Sequence, residues 1–147
     1  MQNRPLIILQ VEDTPADAQL TALAMDAGKI PHSLHVVTDG GQAVEFLKRS
    51  GPYADSPRPD VILLDIDLPR LNGNEVLEFI KSDDQLKSIP VIIFSTSDSE
   101  EIKKHAYDLH ANSYVVKPMD LAGFMQKVQA IAEYWCKVSE IAMQPAA

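Results

Sequence analysis

Cysteine is almost missing from this chain. Cys136 is the single one among 147 residues, so no disulfide can form within the chain, and a reducing compartment is expected. Long apolar runs are missing as well. Nothing approaches the roughly 18 consecutive apolar residues of a membrane helix. The opening "MQNRPLIILQ" has one basic residue and too short an apolar stretch for a secretory signal. A cytoplasmic protein with no membrane partner is expected. Positive charge is scarce: 13 Lys and Arg against 21 Asp and Glu leave a net charge of −8. That argues against a nucleic-acid surface, which needs a face rich in Lys or Arg. It is compatible with binding metal cations or basic partner surfaces. The four histidines, His32, His35, His105 and His110, are scattered, and no His/Cys spacing offers a site for a softer metal.

What is present suits one domain of ordinary size. Apolar residues make up 46 %, enough for a two- or three-layer core. Five short runs rich in Val, Ile or Leu stand out: Leu6–Val11, Leu34–Val37, Val61–Leu64, Val91–Phe94 and Tyr114–Val116. Each reads as a strand buried on both faces. Stretches with helical spacing lie between them. Thr14 suits an N-cap, Pro15 the first helical position and Gly28 the exit of the first. Gly51 is expected to close the second. Val76, Leu77 and Ile80 mark the third, Ile102, Ala106 and Leu109 the fourth, and a long fifth begins near Asp120. The segment "SGPYADSPRP", with three prolines, reads as a surface connection. Strand–helix alternation five times over predicts an α/β fold: a doubly wound parallel sheet of five strands with helices on both faces.

In such a sheet ligands bind at the carboxyl ends of the strands. Glu12 and Asp13 follow the first run, Asp65 the third, Ser95 (with Thr96) the fourth and Lys117 the fifth. If those strands are neighbours, three acids, a hydroxyl and an ammonium share one crevice. Clustered carboxylates either rise in pKa or take up a cation. All-oxygen ligation with few protein ligands favours Mg²⁺. A carboxylate beside Mg²⁺ and a lysine is arranged for phosphoryl transfer, with the carboxylate as nucleophile. Asp65, ending the central strand, is the best nucleophile; Glu12 and Asp13 are better placed as metal ligands or as holders of metal-bound water. Pro69 and Gly73 are read as keeping the following loop open. Singly, Asp13, Asp39, Asp67 and Asp98 would read as caps or solvated charges, and Lys117 as a surface lysine. The ordered set, each member directly after a predicted strand, carries the weight.

Four stretches, "VED" at 11–13, "LLDIDLPRLNG" at 63–73, "PVIIFSTS" at 90–97 and "SYVVKP" at 113–118, resemble the receiver domain of two-component response regulators. The resemblance spans about residues 5 to 133, with spacings of 30 residues from Asp65 to Ser95 and 22 from Ser95 to Lys117. It implies a flavodoxin-like sheet in strand order 2-1-3-4-5, a domain at 5–133 and a helical extension and tail at 134–147. It also implies that Glu12, Asp13, Asp65 and the backbone carbonyl of Asp67 hold Mg²⁺, and that Asp65 accepts the phosphoryl group. Ser95 and Lys117 would engage that group, Tyr114 would be the switch aromatic, and the Lys117–Pro118 peptide would be cis. Thr96 stands where the family usually has a smaller residue and is expected to narrow access. "LHVVTDGGQAVEFLKRSGPYADSPRPD" and "YDLHANSYVVKPMDLAGFMQKVQAIAEYW" further resemble stand-alone regulators that partner phytochrome histidine kinases. The implied function is phosphorelay from such a kinase, with output by contact with a downstream protein. Such a protein is not an enzyme beyond its own phosphorylation and dephosphorylation. Two alternatives stay open: a haloacid-dehalogenase-like phosphatase, whose DxD motif "DID" imitates, and a phosphate-independent adaptor.

From Asp120 onward Leu121, Phe124, Val128, Ile131, Trp135, Val138 and Ala142 fall at intervals of three and four, the spacing of a heptad seam. With Ile141 they are expected to run beyond the body of the domain and to pair two copies into a homodimer.

Overall fold

The computed structural model describes residues 4–138. Ten main elements alternate: β1 Leu6–Val11, α1 Pro15–Ala27, β2 His32–Val37, α2 Gly40–Lys48, β3 Val61–Leu64, α3 Gly73–Ser82, β4 Val91–Ser95, α4 Glu100–Asp108, β5 Ser113–Val116 and α5 Leu121–Glu133. A 3₁₀ turn, Gly51–Tyr53, follows α2, and a π-helical turn, Tyr134–Val138, follows α5. All pairings are parallel, and the sheet runs β2-β1-β3-β4-β5, as the resemblance implies.

Alternation along the strands sends side chains to two cores. Leu9, Val11, Ile62, Leu64 and Ile93 meet Phe46 of α2 and Val76, Leu77 and Ile80 of α3 on one face. Ile8, Leu63, Ile92 and Phe94 meet Ala24 and Met25 of α1 and Phe124 and Val128 of α5 on the other. Because both faces are filled with differently shaped partners, a one-residue slip would exchange the two sets. The register Val11↔Leu64, Leu64↔Ile93 and Ser95↔Val116 is thereby fixed. It brings the residues after β1, β3, β4 and β5 to one edge of the sheet.

Several boundaries differ from expectation. β2 begins at His32, not Leu34; it is an edge strand, and its half-exposed side chains weaken the apolar signal. α2 does not run to Gly51. It ends at Arg49, in the left-handed region at φ 56°, where the Ser50 N–H bonds the Glu45 carbonyl at 3.0 Å and closes the helix as a glycine would. Thr14 occupies the N-cap of α1, but its side chain makes no capping bond. The Lys117–Pro118 peptide is trans, and there is no cis peptide among the described residues. Trans is the intrinsically favoured isomer, and in it the Lys117 N–H bonds the Ser95 carbonyl at 2.7 Å.

The C-terminal helix also departs from the seam reading. Phe124 and Val128 are buried, and Ile131 and Trp135 are half-buried against the core formed by β1, α1 and α5. Trp135 packs on its own domain instead of projecting beyond it. The physical reason is that Trp135 continues the stripe of Phe124, Val128 and Ile131, which already covers the core of β1 and α1. Ile141 and Ala142 lie outside the described residues. Trp135→Ala is therefore expected to destabilise the domain itself by about 2 kcal/mol, less than for a fully buried tryptophan. Urea denaturation at two protein concentrations checks this: the loss should not depend on concentration.

Candidate functional site

The carboxyl edge of the sheet gathers the charged residues. β1 and its pairing end in a buried glutamate: the Glu12 N–H bonds the Val37 carbonyl at 3.0 Å, and Glu12 is only 2 % exposed. A carboxylate so placed needs a partner. It has two. The Thr14 N–H donates to Oε2 at 3.1 Å, and the Lys117 ammonium donates to Oε1 at 2.6 Å. Lys117, itself 6 % exposed, also donates to Asp17 Oδ2 at 3.0 Å and Asp65 Oδ2 at 3.3 Å. Its stem passes the ring of Phe94, the ammonium lying 5.8 Å from the centroid. Burial works against the Lys117 ammonium, but the Glu12 bond, the charge of Asp65 and the Asp17 bond outweigh it and raise its pKa. Burial raises the Glu12 carboxyl above its ordinary value, and the Lys117 bond and charge oppose that rise.

Asp65 is held from the other side. The Asp65 N–H bonds the Val11 carbonyl at 3.1 Å, and the Ile66 N–H donates to Asp65 Oδ1 at 2.7 Å. Glu12, Asp13 and Asp65 each offer a carboxylate oxygen, and all three oxygens lie within 4.8 Å of one another. Asp13 is exposed and Asp65 half-buried, so the group opens to solvent on one side. Such an oxygen-only set fits a hard divalent cation.

The loop after β3 does not stay open, contrary to the reading of Pro69 and Gly73. It folds back on itself. A Cβ at Gly73 would overlap the Asp65 carbonyl oxygen, and the Gly73 N–H bonds the Ile66 carbonyl at 2.7 Å. Glycine is needed here because two backbone segments touch. Asn72 then starts α3 with a reciprocal capping box to Glu75. Asp67 is exposed on this loop. Arg70 leaves it to pair with Asp39 at 3.3 Å, tying the loop to the start of α2.

Ser95 is 1 % exposed at the end of β4, and its Oγ accepts from the Ser97 N–H at 3.2 Å. The Tyr114 hydroxyl donates to the Ser97 carbonyl at 2.9 Å. Tyr114 is half-buried against the core face of α2 and α3. The serine and the tyrosine thus hold the same short segment, and Thr96 between them is exposed.

A family model for the response regulator receiver domain matches residues 8–129. The chain belongs to this family. The receiver is 41 % identical to response regulator Rcp1 of Synechocystis sp. over 133 residues, 90 % of either chain. A crystal structure of the phosphorylated cyanobacterial phytochrome response regulator RcpA superimposes with a TM-score of 0.90 at 42 % identity, covering 95 % of the receiver and 99 % of that chain. The Mn²⁺-bound form of Rcp1 superimposes with a TM-score of 0.89 at 39 % identity, covering 95 % and 100 %. The receiver is thus homologous to phytochrome response regulators. No helix among its described residues is long and apolar enough to cross a membrane.

The receiver's sheet brings Glu12, Asp13, Asp65 and Lys117 together as the strand ends suggest. Asp17 is the member that strand-end reasoning misses. An acid in the first turn of a helix is ordinarily explained by the helix dipole. Its contact with Lys117, 100 residues away, leaves no local trace in the sequence.

Proposed function

We propose that Asp65 accepts a phosphoryl group from a phosphohistidine of a histidine kinase, in a Mg²⁺-dependent reaction. The observation that carries this reading is the convergence of Asp65 with Glu12, Asp13 and the buried Lys117 ammonium at one strand edge. An Asp65 carboxylate oxygen attacks phosphorus, and the P–N bond breaks. Its electron pair stays on the imidazole nitrogen, which takes a proton from solvent. An acyl phosphate remains on Asp65. Glu12, Asp13, Asp65 and the Asp67 carbonyl would hold Mg²⁺, which when bound supplies positive charge to the phosphoryl oxygens. Lys117 supplies a second positive charge from the protein. Ser95 donates its hydroxyl hydrogen to a phosphoryl oxygen, and Tyr114 follows the Ser95–Ser97 segment to which it is bonded.

The homology to phytochrome response regulators supports a phytochrome histidine kinase as donor. The rest of this reading is a cytoplasmic receiver acting on a downstream protein, with chemistry confined to its own aspartate. It includes a domain at 5–133 and a homodimer built on the C-terminal helix. With Trp135 packed on its own domain, the support for the dimer is the apolar Val138, Ile141 and Ala142 of the sequence, and a monomer at micromolar concentration in sedimentation overturns it. The central test uses a phosphorylated histidine kinase as donor. Label should move to the receiver with Mg²⁺ present and stay on the kinase with EDTA. Repeated hydrolysis of p-nitrophenyl phosphate would instead mark a phosphatase.

A further inference from the structure

We propose that Asp17 is a positioning residue for Lys117: it shares the ammonium in the resting protein and releases it to the phosphoryl group on Asp65. This rests on the function proposed above. An ammonium has three hydrogens to donate, and Lys117 spends them on Glu12, Asp17 and Asp65 at 2.6, 3.0 and 3.3 Å. A stronger bond to a phosphoryl oxygen needs the ammonium to move outward, so one of the other two carboxylates must let go.

The two differ in what release costs. Glu12 has a side chain only 2 % exposed, and losing the ammonium would strand a buried charge. The Asp17 side chain is 25 % exposed, so water can replace Lys117, and its place in the first turn of α1 keeps it beside the positive end of that helix. Asp17 is therefore the exchangeable partner. It is also held in place. Its carbonyl accepts from the Thr21 hydroxyl at 3.0 Å, and that oxygen accepts from Gln10 Nε2, buried in β1, at 3.0 Å. This chain of bonds ties the backbone of the first turn of α1 to the central sheet, so the carboxylate starts from a fixed main chain beside the ammonium.

The test uses the full chain with saturating Mg²⁺ and beryllofluoride as the phosphoryl mimic, in wild type, Asp17→Asn and Asp17→Glu. Without the competing carboxylate, Asp17→Asn should bind beryllofluoride roughly tenfold more tightly, the worth of one charge-assisted hydrogen bond. Its Lys117 Nζ resonance, followed in ¹⁵N-lysine-labelled protein, should already be displaced in the resting state. Asp17→Glu should restore both values toward wild type. Unchanged or weaker beryllofluoride binding by Asp17→Asn overturns the proposal, as does tighter binding with an unmoved Lys117 resonance. If wild type itself fails to bind beryllofluoride with Mg²⁺, the assignment of Asp65 falls first, so the two failures are distinguishable.

Discussion

Asp65→Asn is expected to remove phosphoryl labelling entirely while leaving the fold in place. The amide has nearly the volume of the carboxylate, so the packing at the end of β3 is kept. Its Oδ1 can still accept the Ile66 N–H that now lies 2.7 Å from the aspartate oxygen. What disappears is the anionic oxygen that would attack phosphorus, and an amide is no substitute as a nucleophile. Of the three hydrogen bonds that the Lys117 ammonium donates, the one to Asp65 is the longest, at 3.3 Å, and Glu12 and Asp17 remain to hold it. Removing one of three clustered negative charges also relieves repulsion. The net change in stability should therefore stay within about 1 kcal/mol. Mg²⁺ affinity should fall, because one of three converging carboxylates is gone. Phosphotransfer assays beside circular dichroism and a denaturation curve read all three effects. Undiminished labelling of a folded Asp65→Asn protein would move the phosphoacceptor elsewhere.

The strand ends were legible because β1, β3 and β4 are almost wholly buried. A continuous apolar run that stops at an acid or a hydroxyl marks both the element and its functional edge. β2 and β5 lie at the sheet edges, where half-exposed residues such as His32 and Ser113 blur the start. Contacts that cross between elements left no local signal. Asp17 reads as an ordinary first-turn acid until β5 brings Lys117 to it, and Arg70 reads as a loop charge until it meets Asp39. Trp135 shows a different limit. The three–four spacing of α5 is the same whether a helix covers its own sheet or a second copy. Periodicity states that a face is apolar, and the partner is decided by where β1 and α1 lie. The π turn at Tyr134 has no proline or glycine to announce it.

Lys117→Ala is expected to destabilise the metal-free protein by about 3 kcal/mol, the cost of leaving a buried carboxylate without its partner. Glu12 is the cause, since its side chain is 2 % exposed and its shortest bond is to this ammonium. Asp17 and Asp65, more open to water, contribute less. Two consequences separate this account from simple loss of packing, and Lys117→Met, which keeps the aliphatic stem beside Phe94, should show both. The first is rescue by a cation. With the ammonium gone, Mg²⁺ becomes the main positive charge among Glu12, Asp13 and Asp65, so it should raise the melting temperature of either variant more than that of wild type. The second is a reversed dependence on pH. In wild type the Lys117 pKa is raised above its ordinary 10.5. Its stabilisation is therefore fully present below pH 10.5 and lost as pH rises through the raised folded value. In the variants Glu12 dominates. Burial raises its pKa above the ordinary 4.5, and the ammonium that opposed this rise is absent. A raised carboxyl takes its proton more readily folded than unfolded, so the deficit should shrink as pH falls through the raised value toward 4.5. Denaturation at pH 5 and pH 8, with and without Mg²⁺, measures both. A deficit indifferent to pH and to Mg²⁺ in Lys117→Met would show that Lys117 does not neutralise Glu12.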